Sequence, residues 1–161
     1  MNVLSRDEDT EEELRGASRP VFRQRVYLFV AFEADRPFSG GARFSIGHVD
    51  EIVIRRGPER RAIADSARPG GRLVVELAGR AVSAAHARIE RQPNGWVLSD
   101  TGSTNGCYVN GVRVQQTLLA PDDLIEIGRT YLMIRSCEQA VDEEPSDCDS
   151  REREGELPAL L

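Results

Sequence analysis

The chain contains no lysine, and all 21 of its basic residues are arginine. Either residue supplies charge, but arginine adds a planar fork that grips carboxylate and phosphate through two hydrogen bonds. A codon bias towards arginine is the plain explanation for most of this. Cysteine is scarce: Cys107, Cys137 and Cys148 are an odd number and form no CxxC pair. That argues against a disulfide framework or a zinc site and points to a reducing cytoplasm. Neither a metal nor a cofactor is expected. Long apolar runs are missing too. The longest, Val26 to Phe32, has seven residues, whereas a membrane helix needs about 20. No apolar stretch follows a basic start at the N-terminus, so no signal peptide is expected. No segment sustains a helical period. With 161 residues there is room for one soluble domain.

What is present is unevenly spread. The formal net charge is −6. Residues 1–14 carry six acids and one arginine, and residues 138–161 carry nine acids and two arginines. Residues 15–137 therefore hold 12 acids and 18 arginines, a net charge of +6. A basic centre lies between acidic ends. Residues 1–20 and 138–161 offer too little apolar surface to offset chain entropy. We expect disordered acidic tails there, flanking one domain over 21–137.

That domain reads as all-β. Short runs rich in Val, Ile, Leu, Tyr and Phe recur between Gly, Pro, Asn and Asp. Strands are expected near 25–33, 42–47, 51–56, 72–77, 86–91, 95–99, 107–109, 112–115, 117–119, 123–127 and 130–135. Many short strands in so few residues imply a sandwich or a barrel. Asn94-Gly95 and Asn110-Gly111 are signals for two-residue type I′ hairpins. Residues 57–71 (GPERRAIADSARPGG) show no strand pattern and read as a long, arginine-rich loop.

The chemistry concentrates between Val82 and Gly111. Ser83 and His86 form an SxxH unit at the start of a strand. Trp96-Val97-Leu98 leads to Asp100. Gly102-Ser103-Thr104-Asn105-Gly106 follows, and then Val109-Asn110-Gly111. Hydroxyls and an amide that both donate and accept, set in loops on a rigid β scaffold, suit a binding surface. With a nearby arginine, such loops can hold an anion and an extended peptide.

These ordered motifs resemble the forkhead-associated (FHA) domain, a reader of phosphothreonine peptides. The family pattern runs Gly-Arg, Ser-x-x-His, Ser-(Thr/Lys)-Asn-Gly and Val-Asn-Gly. Ser83, His86, Asp100, Ser103, Thr104, Asn105, Gly106, Val109, Asn110 and Gly111 fit it, and DDLIEIG (122–128) resembles the stretch before its last strand. The likeness covers roughly 25–135. It implies an all-β, FHA-like sandwich of about eleven strands. It implies that Ser83 and Thr104 contact phosphate and that Asn105 holds the peptide backbone. His86, Asp100, Gly106 and Asn110 would be structural residues near the site.

Two places compete for the arginine. Gly47-His48 keeps the glycine but has a histidine, and Arg55-Arg56 keeps the arginine but not the glycine. Arg56 is favoured, because the segment is similar to one in FHA modules at the front of bacterial enhancer-dependent (σ54) activators. The family often has arginine directly after the serine, where this chain has Ala84. It often has threonine after Asn-Gly, where this chain has Cys107.

The expected function is therefore non-catalytic: a phosphothreonine-binding signalling module downstream of a Ser/Thr kinase, in a bacterial cytoplasm. Its partners would be a phosphothreonine-containing protein and the kinase. The alternative is a phosphate-independent regulatory or scaffold domain of a bacterial transcription regulator. A hydrolase could be assembled on paper from Ser83 or Ser103, His86 and Asp100, but no nucleophile-elbow pattern accompanies them. Trp96 reads as core and Cys107 as a small packing residue. The cluster Arg55, Arg56, Arg60, Arg61, Arg68 and Arg72 reads equally well as a solvated loop or as a partner-steering patch. Direct nucleic-acid binding is not expected, since the acidic tails would compete for that patch. Thr10, in DEDTEEE, is the only threonine of either tail. It is a candidate phosphosite that the domain itself could read, although an unmodified acidic tail is the plainer reading.

Overall fold

A computed structural model describes residues 22–140. Twelve strands are found among them: β1 (Phe22–Glu33), β2 (Ala42–Ser45), β3 (Glu51–Arg56), β4 (Arg61–Asp65), β5 (Arg72–Leu77), β6 (Ala87–Gln92), β7 (Gly95–Asp100), β8 (Cys107–Val109), β9 (Val112–Val114), β10 (Gln116–Leu119), β11 (Ile125–Ile127) and β12 (Thr130–Ala140). One sheet has the order β2-β1-β12-β11-β8-β9, the other β10-β7-β6-β3-β5-β4. The expected all-β sandwich is what forms. No helix among the described residues is long and apolar enough to cross a membrane.

Period-two alternation builds the core. In β3, Ile52 and Ile54 point inward and are fully buried, as are Val75 and Leu77 from β5, with Leu73 nearly so. Ala87 and Ile89 of β6 and Leu98 of β7 complete that side. Leu28, Val30, Cys107, Val109, Ile125, Ile127 and Leu132 face them from the other sheet. Each large side chain so buried stabilises the fold by about 1.5–3 kcal/mol. Trp96 is only partly buried against this core, and the Arg91 guanidinium lies over its ring, 4.7 Å from the centroid.

One pairing positions the candidate site. β3 and β5 are parallel neighbours, whereas β3 and β6 are antiparallel. The chain therefore leaves β3 and β5 at the same end of the sandwich and re-enters β6 there. Arg56 and the 78–86 connection emerge side by side.

The expected loop at 57–71 is corrected by the structure. A parallel pair needs a crossover connection, and this one contains strand β4. It pairs antiparallel with β5, in the register Arg61↔Glu76, Ile63↔Val74 and Asp65↔Arg72. The sequence signal was weak because Arg-Ala-Ile-Ala-Asp has one large apolar residue and sits at a sheet edge. Two buried carboxylates hold it and its surroundings. Glu76 accepts from Arg55 Nη2 at 2.6 Å and Arg61 Nε at 2.7 Å. Glu51 accepts from Arg68 Nη1 at 2.7 Å and Arg72 Nε at 2.6 Å. Arg88 Nε lies 3.2 Å from the other Glu51 oxygen, close enough for an ion pair but off the hydrogen-bond direction. Arg60 reaches Glu33 and the carbonyls of Ser39 and Gly40.

The two Asn-Gly signals diverge. Asn110 and Gly111 both adopt positive φ, 51° and 79°, between the paired Val109 and Val112, as a type I′ turn requires. At the other hairpin Gln92 pairs with Gly95, so the loop residues are Pro93 and Asn94. Proline holds φ near about −65°, which rules out the positive φ that a type I′ turn needs at its first central residue.

β12 continues through Ala140, where it pairs with Phe22, three residues past the expected domain edge. The remainder of the expected tails, 1–20 and 141–161, lies outside the described residues, and so do Thr10 and Cys148.

Candidate functional site

The site forms where the ends of β3 and β5 meet the starts of β6 and β8. Backbone bonds fix the loops first. Arg56 N–H donates to the Ser83 carbonyl at 2.9 Å, His86 N–H to that of Ile54 at 3.1 Å, and Thr101 N–H to that of His86 at 3.0 Å. Ser83 is thereby held against the end of β3, beside Arg56.

His86 ties the loops together from beneath. Its side chain is fully buried. Ser83 N–H points at Nδ1 at 2.9 Å, and Nε2 lies 3.1 Å from the Gly106 carbonyl. A backbone N–H can only donate and a carbonyl can only accept. Nδ1 is therefore the acceptor, and the ring proton sits on Nε2. Both nitrogens are occupied by backbone, so neither faces a serine hydroxyl, and the hydrolase arrangement weighed from the sequence is not assembled.

Asp100 shapes the next loop. Its Oδ1 accepts from the backbone of Gly102 at 3.0 Å and of Ser103 at 2.7 Å, and Oδ2 accepts from Ser103 Oγ at 3.1 Å. Ser103 Oγ accepts in turn from Gly106 N–H at 2.9 Å. Burial pushes the Asp100 carboxyl up. The hydrogen bonds from Ser103 and Gly102 together outweigh it and hold the group below the usual carboxylate range.

This frame presents Thr104 and Asn105. Thr104 N–H donates to Ser83 Oγ at 3.0 Å, and the Ser83 hydroxyl reaches Thr104 Oγ1 at 3.4 Å. Asn105 Nδ2 donates to the Ala81 carbonyl at 2.8 Å. That leaves the Asn105 carbonyl oxygen and one amide hydrogen for a ligand. Asn110 lies further off and closes the neighbouring loop, giving to Asp123 Oδ1 at 2.7 Å and accepting from Leu124 N–H at 2.9 Å.

The arginines divide sharply. Of the six in the sequence cluster, Arg55, Arg60, Arg61, Arg68 and Arg72 are held by Glu76, Glu33 or Glu51. Arg56 is exposed, and no side-chain partner is found for it among the described residues. His48, the rival position, precedes the opposite end of β3, beside Gly70 and Gly71. The six residues of β3 span roughly 17 Å, so His48 is remote from Ser83.

Three features escaped the sequence reading. An open groove of about 900 Å³ runs from Asn105 and Ala81 past Tyr108, with Arg36, Arg80 and Arg129 on its walls. Arg129 is paired with Asp35 at 3.1 Å. Arg113 packs so closely on Gly106 that a Cβ there would stand 2.5 Å from its Nε, and Gly106 has φ of 84°. Only the pairing of β8 with β9 brings Arg113 there, and no local motif signals it.

Two facing sheets form a β-sandwich, with the Ser83 and Thr104 hydroxyls, the Asn105 amide and Arg56 at one end of it. The FHA-domain family model matches residues 69–128. The chain is 30% identical over 153 residues to the glycogen accumulation regulator GarA of Mycobacterium tuberculosis, covering 83% of this chain and 88% of that protein. It belongs to the FHA-domain family. Among solved structures it is similar to the FHA domain of CT664 from Chlamydia trachomatis, with a TM-score of 0.52 and 23% identity over 68% of this chain and 95% of that one. An Arabidopsis thaliana FHA domain gives a TM-score of 0.51 at 19% identity, over 74% of this chain and 92% of that one. These two likenesses concern the fold.

Proposed function

We propose that the chain is a non-catalytic cytoplasmic module that binds phosphothreonine peptides written by a Ser/Thr kinase. The observation that carries this reading is the backbone bond that sets Arg56, whose guanidinium has no partner among the described residues, next to Ser83 and its hydroxyl contact with Thr104. Membership of the FHA family, and a relative named as a regulator, support it.

A phosphothreonine brings about −1.5 to −2 charges and three acceptor oxygens. Arg56 supplies the charge-assisted fork, each such bond contributing about 1.5–3 kcal/mol. The long 3.4 Å bond between the Ser83 hydroxyl and Thr104 is the one that yields: both hydroxyls turn to the phosphate. Thr104 N–H stays on Ser83 Oγ and keeps the pair in place. Asn105, anchored on Ala81, uses its free carbonyl oxygen for a peptide N–H and so sets the register. The net positive charge of 15–137 steers the phosphopeptide in, most strongly at low salt.

The test is calorimetric binding of a phosphothreonine-centred peptide library beside its unmodified counterpart. Binding that requires the phosphate is the expected result. Equal binding of the two, or none of either, contradicts the proposal and leaves a phosphate-independent scaffold.

A further inference from the structure

Strand β4, which was not among the strands expected from the sequence, lies at the free edge of its sheet and pairs on one side only, with β5. An unpaired edge is a template for another strand. Edges are usually blunted by proline, bulges, short length or charge; β4 (Arg61-Ala62-Ile63-Ala64-Asp65) is short and carries one charge of each sign at its ends, but it has no proline, lysine or bulge. Its middle residue, Ile63, is 40% exposed.

The sequence of β4 is complementary to itself. Place a second β4 antiparallel beside the first, with a two-fold axis through Ile63. Each Arg61 then stands opposite the other copy's Asp65, each Ala62 opposite an Ala64, and the two Ile63 side chains meet at the axis. Arg61, Ile63 and Asp65 share one face, because they pair with Glu76, Val74 and Arg72 of β5. Both ion pairs and the isoleucine contact thus fall on the same side. The charged ends are available as well. Arg61 uses only Nε on Glu76, and Asp65 uses only Oδ1, on Ala67 N–H. The two terminal nitrogens of Arg61 and the second oxygen of Asp65 have no partner among the described residues. The other edge strands, β2 (ARFS), β9 (VRV) and β10 (QTLL), have no such symmetry of charge.

We propose that β4 is the self-association edge of this protein: two copies pair β4 to β4 about Ile63, joining two six-stranded sheets into one. The contact is isologous, so it closes at a dimer. Opposed pairs of this kind are individually weak, so the dimer forms in a concentration-dependent equilibrium. Two binding faces on one particle would give avidity towards doubly modified partners. The pairing itself does not depend on what those faces bind.

The experiment uses the full chain. Light scattering across a concentration series is expected to rise from 17.9 kDa towards twice that mass. Ile63→Glu sets two like charges at the axis and should stay monomeric throughout. Its unfolding midpoint, expected close to that of the parent because Ile63 is exposed, shows that it has folded. Ile63→Cys, with Cys137 and Cys148 replaced by serine, brings two thiols to the axis. Opposed Cβ atoms lie about 4.5–5.5 Å apart there, near disulfide range. Mild oxidation should give a covalent dimer, and Phe38→Cys in the same background should not. A parent that remains monomeric overturns the proposal. So does a dimer that persists in Ile63→Glu, or an Ile63→Cys protein that cross-links no better than Phe38→Cys.

Discussion

The Ser83 N–H donates to Nδ1 of His86, three residues further on, at 2.9 Å. This short bond fixes the ring tautomer, and the tautomer aims Nε2–H at the Gly106 carbonyl. The loop that carries Ser83 and the loop that carries Thr104 and Asn105 are thereby locked to one another through a buried ring. Histidine is required because it accepts on one side and donates on the other within a rigid plane.

Replacing His86 by alanine should therefore damage both loops at once. It opens a cavity and strands a buried N–H and a buried carbonyl, at a cost of about 3 kcal/mol or more. Urea unfolding measures this, and a loss under about 0.5 kcal/mol, within the scatter of surface substitutions, contradicts the locking role.

Asp100→Asn tests the second brace. Asp100 has a depressed carboxyl in the folded state. Its contribution is thus present above the unfolded value, about 3.9, and is lost as pH falls through the lower folded value. The bonds it accepts are partly exposed, which limits the cost at neutral pH to about 1–2 kcal/mol. Parent and variant should converge in stability below about pH 4. A gap that stays constant down to acid pH would show that the charge on Asp100 plays no part.

Cys107 should be inert. Burial, reinforced by Asp100, pushes its thiol up to about 12, so almost no thiolate exists at neutral pH. A thiol reagent should label Cys107 only once the domain unfolds, while the half-buried Cys137 reacts in the native state. Mass spectrometry of labelled peptides checks both sites. Fast native labelling of Cys107 would mean that the β8 end opens.

Glu76 holds Arg55 and Arg61 at once. Glu76→Gln should loosen β4 without disturbing the Ile52–Ile54–Leu98 core. Hydrogen exchange is expected to quicken at residues 61–65 and to stay unchanged in β6 and β7. Uniform quickening would mean that the pair supports the whole sheet.

Eleven of the twelve strands were legible because their apolar residues alternate and turn residues bound them. β4 was not, since an edge strand with one isoleucine needs no alternating pattern, and its partner β5 follows a connection away. The candidate site was legible where its residues are close in sequence: Ser83 with His86, and Asp100 with Ser103 to Gly106. The choice between Arg56 and His48 depends on which end of β3 faces Ser83, and the β3–β5 and β3–β6 pairings decide that geometry. Arg80 and Arg113 were invisible for the same reason, because lone arginines acquire meaning only from their neighbours in space.

The most direct test of the account compares Arg56→Ala with Arg55→Ala for binding of phosphothreonine peptides. The two residues are adjacent, but Arg55 is held by Glu76, whereas the exposed Arg56 has no side-chain partner among the described residues. Loss of the charged partner of a phosphate commonly costs about 2–5 kcal/mol, so Arg56→Ala should weaken phosphate-dependent binding by about 30-fold or more. Arg55→Ala should leave it within about threefold. Binding that survives Arg56→Ala and fails in Arg55→Ala would contradict the account, because the phosphate would then be held by the arginine that the structure shows engaged elsewhere.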